Sequence, residues 1–323
     1  GGSNEAAIRH GAQVPVNDPI LLISAMAAVT ENLGFGVTAG TAYEHPYPFA
    51  RRMSTLDHLT GGRVGWNVVT GYLPSAARNM GHDDQLEHDE RYDVADEYLE
   101  VLYKLWEGSW EDDAVIRDRD SVIYQAGASP RGIAFAAGNA EAIFVAAPTK
   151  TVLKGVVKSI RDALEEAGRD RYSAKIYTLI TIITDETTEK AHAKHADYLN
   201  AIQSAVSNFQ AANDDGGEWK VRDIAKLGAI GGLGPFIVGS PSEIADDLQA
   251  WVDETDVDGF NLAYAITPGT FEDVVEFIIP ELRRRGAYPE GYAPGTLRNK
   301  LHGRGDRLPE EHHGARFSIG QAV

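Results

Sequence analysis

Asn67 interrupts the apolar run RVGWNVVT (63–70). An amide held inside a buried strand must find hydrogen-bond partners, either on a neighbouring strand or on a ligand ring. Thr38 stands in the same relation to GFGVTAG (34–40), a run with little side-chain bulk. In EHDERYD (87–93), His88 and Tyr92 are four residues apart and share one face at the first turn of a helix. An imidazole and a phenol there can both donate to an anion. The bland reading is a surface histidine beside a tyrosine at the core's edge. His45 and Tyr47 lie in the Pro-rich stretch YEHPYPF (43–49), suited to lining a pocket. Arg51 and Arg52 then open a helix, where the dipole disfavours them. That points to structural ion pairs with acidic helices.

The stretch QAGASPRG (125–132) leaves an apolar run through small residues. Ser129 fits a helix N-cap and Pro130 the first helical position. Free N–H groups and the helix dipole at such an end bind phosphate, and Ala128 lets it approach the backbone. Arg131 adds a positive charge. An ordinary cap is the competing reading. GSPSE (239–243) has the same Ser-Pro entry, completed by Glu243 as a capping box. The first site has no glutamate in that place, a role an anion can take. Metal signals are weak: His88, Asp89 and Glu90 are adjacent and do not face one point, and HAKH (192–195) offers one histidine pair.

The elements that must carry these residues alternate. Residues 18–33 are rich in helix formers, with Asp18 as N-cap and Pro19 at the first position. Strands are predicted at 34–40, 63–70, 122–127, 142–147, 175–184, 236–239 and 259–265. Helices are predicted at 47–59, 88–107, 130–138, 149–167, 186–212, 241–253 and 270–285. In the helix over 88–107, Tyr92, Ala95, Leu99, Leu102 and Leu105 recur at helical spacing. Strand then helix, seven times over, predicts a parallel sheet, and the strands are apolar on both faces. No GxGxxG follows the first strand, so an open dinucleotide-binding sheet is disfavoured against a TIM barrel, (β/α)8, with one strand missing. Residues 1–323 read as a single barrel domain, and 286–323, with no period, as a tail wrapping its surface. The chain reads as spliced near 117–122 and 200–206, where turn and cap chemistry is missing.

Length and charge bound the function. The chain has 323 residues, 43% of them hydrophobic, enough for a large α/β domain. A net charge of −18 argues against nucleic acid and anionic membrane as partners. No apolar run approaches the ~20 residues needed to cross a bilayer. No cysteine is present, so there is no thiolate zinc site and no cysteine nucleophile. That suits a cytoplasmic location. The opening GGSNEAA does not read as a native start.

Together, TAYEHPYPFARRMSTLDHLTGGRVGWNVVTGYLPSAARNMG, EHDERYDVADEYLEVLYKLWEGSW, YQAGASPRG and DGFNLAYAITPGTF resemble the two-component flavin-dependent monooxygenases of the bacterial-luciferase-like superfamily. The similarity is to the group of nitrilotriacetate monooxygenase, pristinamycin synthase and dibenzothiophene-sulfone monooxygenase. It implies a barrel with insertions. Reduced FMN would come as a diffusible cosubstrate from a separate NAD(P)H-dependent flavin reductase. With O2 it would form a flavin hydroperoxide that oxygenates a small organic substrate. By the same resemblance Thr38 and Asn67 contact the flavin ring region, His88 and Tyr92 lie at the flavin, and Ala128 and Ser129 belong to the phosphate loop. His45 or Tyr47 would face the substrate. A family aspartate after an early strand has no counterpart. A homo-oligomer is also implied. The alternatives are a deazaflavin-dependent dehydrogenase of the same superfamily and a noncatalytic flavin-binding barrel.

Overall fold

The computed structural model describes residues 17–108, 121–199 and 234–318. The chain divides into two compact units. The first runs to Ile123 and includes Gly295–Glu310 and the chain from Gly314 onward. The second is Tyr124–Pro294 with Glu311–His313.

In the first unit, α1 (Pro19–Ala28) opens at Asp18, whose carboxylate accepts the Ile20 N–H at 2.9 Å. It stops five residues short of the predicted end. β1 (Phe35–Gly40), α2 (Pro46–Thr60) and β2 (Val64–Val69) follow. Gly61, at φ 65°, ends α2 in a left-handed turn that a side chain would strain. β1 and β2 pair in parallel, Thr38 opposite Asn67. One face of the pair packs on helices and buries Phe35, Val37, Val64, Trp66 and Val68. Behind it the Trp66 ring lies 4.6 Å from that of Phe49 on α2. It also lies 6.1 Å from Tyr98 on α4 (His88–Trp106). Burial of each such side chain contributes roughly 1.5–3 kcal/mol. The short helix α3 (Pro74–Asn79) lies between β2 and α4.

The second unit carries most of β3 (Val122–Ala126), whose first two residues belong to the first unit, then α5 (Pro130–Asn139), β4 (Ala142–Val145), α6 (Lys150–Glu166) and β5 (Lys175–Thr184). A helix over 188–199, α7, comes next. The rest of the helix predicted to 212, and both apparent splices, fall at least partly outside the described residues. Then come β6 (Phe236–Gly239), α8 (Pro241–Thr255) and β7 (Gly259–Ala263). Strand pairs are parallel throughout: β3 with β4, β4 with the start of β5, and β7 and β6 with its middle and end. Ile143, Ile176, Ile180 and Ile182 of the strands bury against Leu153, Val157 and Ile160 of α6 and Leu248 and Trp251 of α8.

The helix predicted over 270–285 is interrupted. α9 (Gly269–Asp273) gives way to a π-helical turn, Val274–Ile278, before α10 (Ile279–Arg284). Pro280 in this stretch lacks the N–H that a regular helix uses there, although helix-forming residues surround it. The tail beyond 286 holds a six-residue helix, α11 (Leu297–His302), whose Arg298 is buried. An element that short leaves no periodic trace in sequence.

Candidate active site

The face of β1 and β2 turned away from the helices has almost no side-chain relief. Gly36, Thr38 and Gly40 of β1 alternate onto it, as do Gly65, Asn67 and Val69 of β2. A Cβ placed on Gly36 would meet nothing within 4 Å. Asn67 Nδ2 donates to Thr38 Oγ1 at 3.0 Å. Its carbonyl Oδ1 is buried and has no protein partner. A flat polar ring fits this surface: open space, one hydroxyl, and an acceptor left over for a ring N–H.

His88 is the first residue of α4 and Tyr92 lies one turn on. Their rings meet edge to face, 5.3 Å apart. His88 Nδ1 lies 2.6 Å from Asp89 Oδ1, and Tyr92 is buried while His88 is exposed. His45 is the N-cap of α2 and makes no side-chain cap bond; Tyr47 is in the first turn and 58% exposed. Arg51 lies over the Tyr47 ring at 5.8 Å. Arg52 pairs with Glu44 in the loop before its own helix, not with an acidic helix. Behind the strands, burial pushes the Tyr98 phenol up, and Arg52 opposes that.

In the second unit, Ser129 caps α5 by accepting the Gly132 N–H at 3.1 Å. Ala128 is exposed and Arg131 half-buried. The third helical position is Gly132, which has no side chain to reach back. At the matching entry to α8, Glu243 Oε2 accepts the Ser240 N–H at 2.9 Å and completes the box. The two Ser-Pro entries thus differ as their sequences predict.

A cavity of about 150 Å³ opens where β1 and β2 end, within the first unit. Its polar lining includes Thr41, Tyr43, His82, Gln85 and Arg91. Tyr43 donates to Gln85 Oε1 at 2.8 Å. Arg91 donates through Nη1 to the Gly71 carbonyl, while its Nε and the Thr41 hydroxyl are buried without partners. Sequence reasoning passed over all five of these residues. It singled out His45 and Tyr47 from the same loop, and neither lines this cavity. The available signal was position: Thr41 and Tyr43 directly follow a strand, at the end where parallel α/β folds bind ligands.

Parallel strands alternating with covering helices, and polar groups gathered at the strand ends, define an α/β protein of the TIM-barrel class. The chain belongs to the luciferase-like monooxygenase family, whose model matches residues 6–258. Dimethyl-sulfide monooxygenase of Hyphomicrobium sulfonivorans is 46% identical, over 97% of this chain and 80% of its own length. Long-chain alkane monooxygenase of Geobacillus thermodenitrificans is 43% identical, over 98% and 83%. The crystal structure of DmoA from Hyphomicrobium sulfonivorans superposes with a TM-score of 0.87 at 45% identity, over 99% and 82% of the two chains. That of riboflavin lyase with modified FMN and riboflavin gives 0.86 at 31%, over 98% and 85%. The barrel fold class expected from the alternation of elements therefore stands.

Proposed function

We propose that this chain is the oxygenase component of a two-component monooxygenase. It takes reduced FMN from a separate NAD(P)H-dependent flavin reductase and uses O2 to oxygenate a small organic substrate. The observation that carries the reading is the relief-free face of β1 and β2 with the orphaned Asn67 carbonyl at its centre. An orphaned buried acceptor costs about 1–3 kcal/mol, a penalty that a ring N–H removes. Membership of the family and the solved relative holding modified FMN support the same cofactor.

When bound, reduced flavin supplies the activation of O2 and the transfer of one oxygen atom. The chain's own groups bind and orient. Asn67 and Thr38 meet the ring's polar edge, and Trp66 behind them stiffens the strand. The phosphate candidates, taken from the family resemblance, are Tyr92 in the first unit and, in the second, the Ser129-capped start of α5 with Arg131 adding charge. His88, held by Asp89, offers a polar group near the flavin. His45 or Tyr47, exposed at the start of α2 after the Pro-rich loop, is the candidate for a second substrate contact outside the cavity.

The test is oxygen uptake by the full chain with FMN, NADH and a flavin reductase, with substrates read by mass spectrometry for a gain of one oxygen. Substrate-dependent uptake supports the reading. Turnover without O2, by hydride transfer to or from a deazaflavin, assigns the chain to the dehydrogenase alternative.

A further inference from the structure

The cavity beyond β1 and β2 restricts what the substrate can be. Its volume is about 150 Å³. An engineered cavity of that size in another protein, with apolar walls, holds one benzene molecule. A ligand of about six heavy atoms is therefore the scale. The walls here are not uniformly apolar. Ala77 and Val94 give it an apolar side. Thr41 is 3% exposed, and its hydroxyl finds no partner. Arg91 Nε is buried and unpartnered too. Both are donors, and the second is a donor only. Tyr43 already donates its hydroxyl proton to Gln85, and Thr70, His82 and Asp84 complete the polar lining among the described residues.

The charges nearly cancel. Arg91 is the lining cation, and Asp84 is the lining carboxylate, its side chain 74% exposed and 4.0 Å from Arg78. A polyanion finds one guanidinium opposed by one carboxylate. An alkane leaves two buried donors unmade. The geometry points to a substrate that is small and neutral, whose polar end is an acceptor oxygen, as in a sulfone, sulfoxide or ketone. Thr41 and Arg91 bind that oxygen, and Ala77 and Val94 face the alkyl part. This rests on the monooxygenase reading above and goes beyond it by naming the substrate class.

Calorimetric titration of the full chain, free of flavin, tests it with three probes: dimethyl sulfone, cyclopentane and nitrilotriacetate. Dimethyl sulfone is expected to bind at least about tenfold tighter than cyclopentane, because an apolar isostere strands the donors. Nitrilotriacetate gives no heat. Thr41→Val, near-isosteric, weakens sulfone binding about fivefold or more and leaves cyclopentane binding equal or better. Arg91→Lys, which keeps the charge but loses Nε, also weakens it. Thermal unfolding of each variant checks that the fold is kept. Cyclopentane binding as tightly as the sulfone, or sulfone heat unchanged in both variants, overturns the assignment. So does the absence of any sulfone heat, which leaves water as the occupant, and so does displacement of the sulfone by FMN. FMN titrated separately distinguishes the two levels: FMN bound without sulfone sinks only the substrate class, whereas no FMN binding sinks the flavin reading.

Discussion

Asn67 and Thr38 face each other across the β1–β2 register, and the amide donates to the hydroxyl at 3.0 Å while its own carbonyl stays unpartnered. The bond fixes which way the amide points. It uses the donor end on the protein and presents the acceptor end. Asn67→Leu is therefore expected to lower affinity for FMN by about tenfold or more, with thermal stability equal or higher, since an orphaned buried acceptor disappears. Fluorescence titration of FMN alongside a melting curve measures both. Unchanged affinity removes Asn67 from the flavin site.

The phosphate assignment separates from the ring assignment through ligand choice. Ser129→Ala removes the cap on α5 and costs about 1 kcal/mol, a few degrees in Tm. Combined with Tyr92→Phe it is expected to weaken FMN binding several-fold while leaving riboflavin binding, which involves no phosphate, nearly unchanged. Equal losses for the two ligands point to general loosening and count against a phosphate loop.

One source of alkaline sensitivity lies in the interior of the second unit. Tyr124 stacks on Phe144 at 5.3 Å, and Phe144 lies 6.2 Å from Tyr177. Burial, then the charge of Asp258, pushes Tyr177 up to about 12, and burial raises Tyr124 as well. A raised folded value means that the folded state keeps a proton the unfolded chain releases above pH ~10. Stability is thus complete below pH ~10 and declines as pH rises through about 12. The decline for one such tyrosine approaches 1.4 kcal/mol per pH unit. Urea midpoints against pH should show it, and Tyr177→Phe should flatten it. A slope unaltered in that variant rejects Tyr177 as its source.

Arg161 is a buried cation at the centre of a polar cluster in the second unit. It is 1% exposed and donates to the carbonyls of Ala174 at 2.8 Å and Arg171 at 3.1 Å. It also pairs with Asp258 at 2.9 Å, a carboxylate that in turn accepts the Ile176 N–H. Arg161→Met strips the Ala174 and Arg171 carbonyls of their donor and leaves Asp258 with Lys175, 3.1 Å away, as its cation, and a loss of about 3 kcal/mol in urea unfolding is expected. A loss below 1 kcal/mol shows the pair to be dispensable.

What the sequence determined by itself is what neighbours along the chain decide. The seven strands, the caps at Asp18, Ser129 and Ser240, and the shared face of His88 and Tyr92 are all local, set by periodicity and by side chains reaching backbone one turn away. Tertiary structure decided the rest. Thr38 and Asn67 meet because strand register is settled by the packing of Trp66 and Phe49 behind them. Tyr43 and Gln85, 42 positions apart, bond only because the loop after β1 and the loop after α3 are brought together. The π-helical turn at Val274–Ile278 and the buried Arg298 left no signal in composition. A hydrogen bond between distant residues depends on loop closure and core packing, and no spacing rule along one chain encodes either.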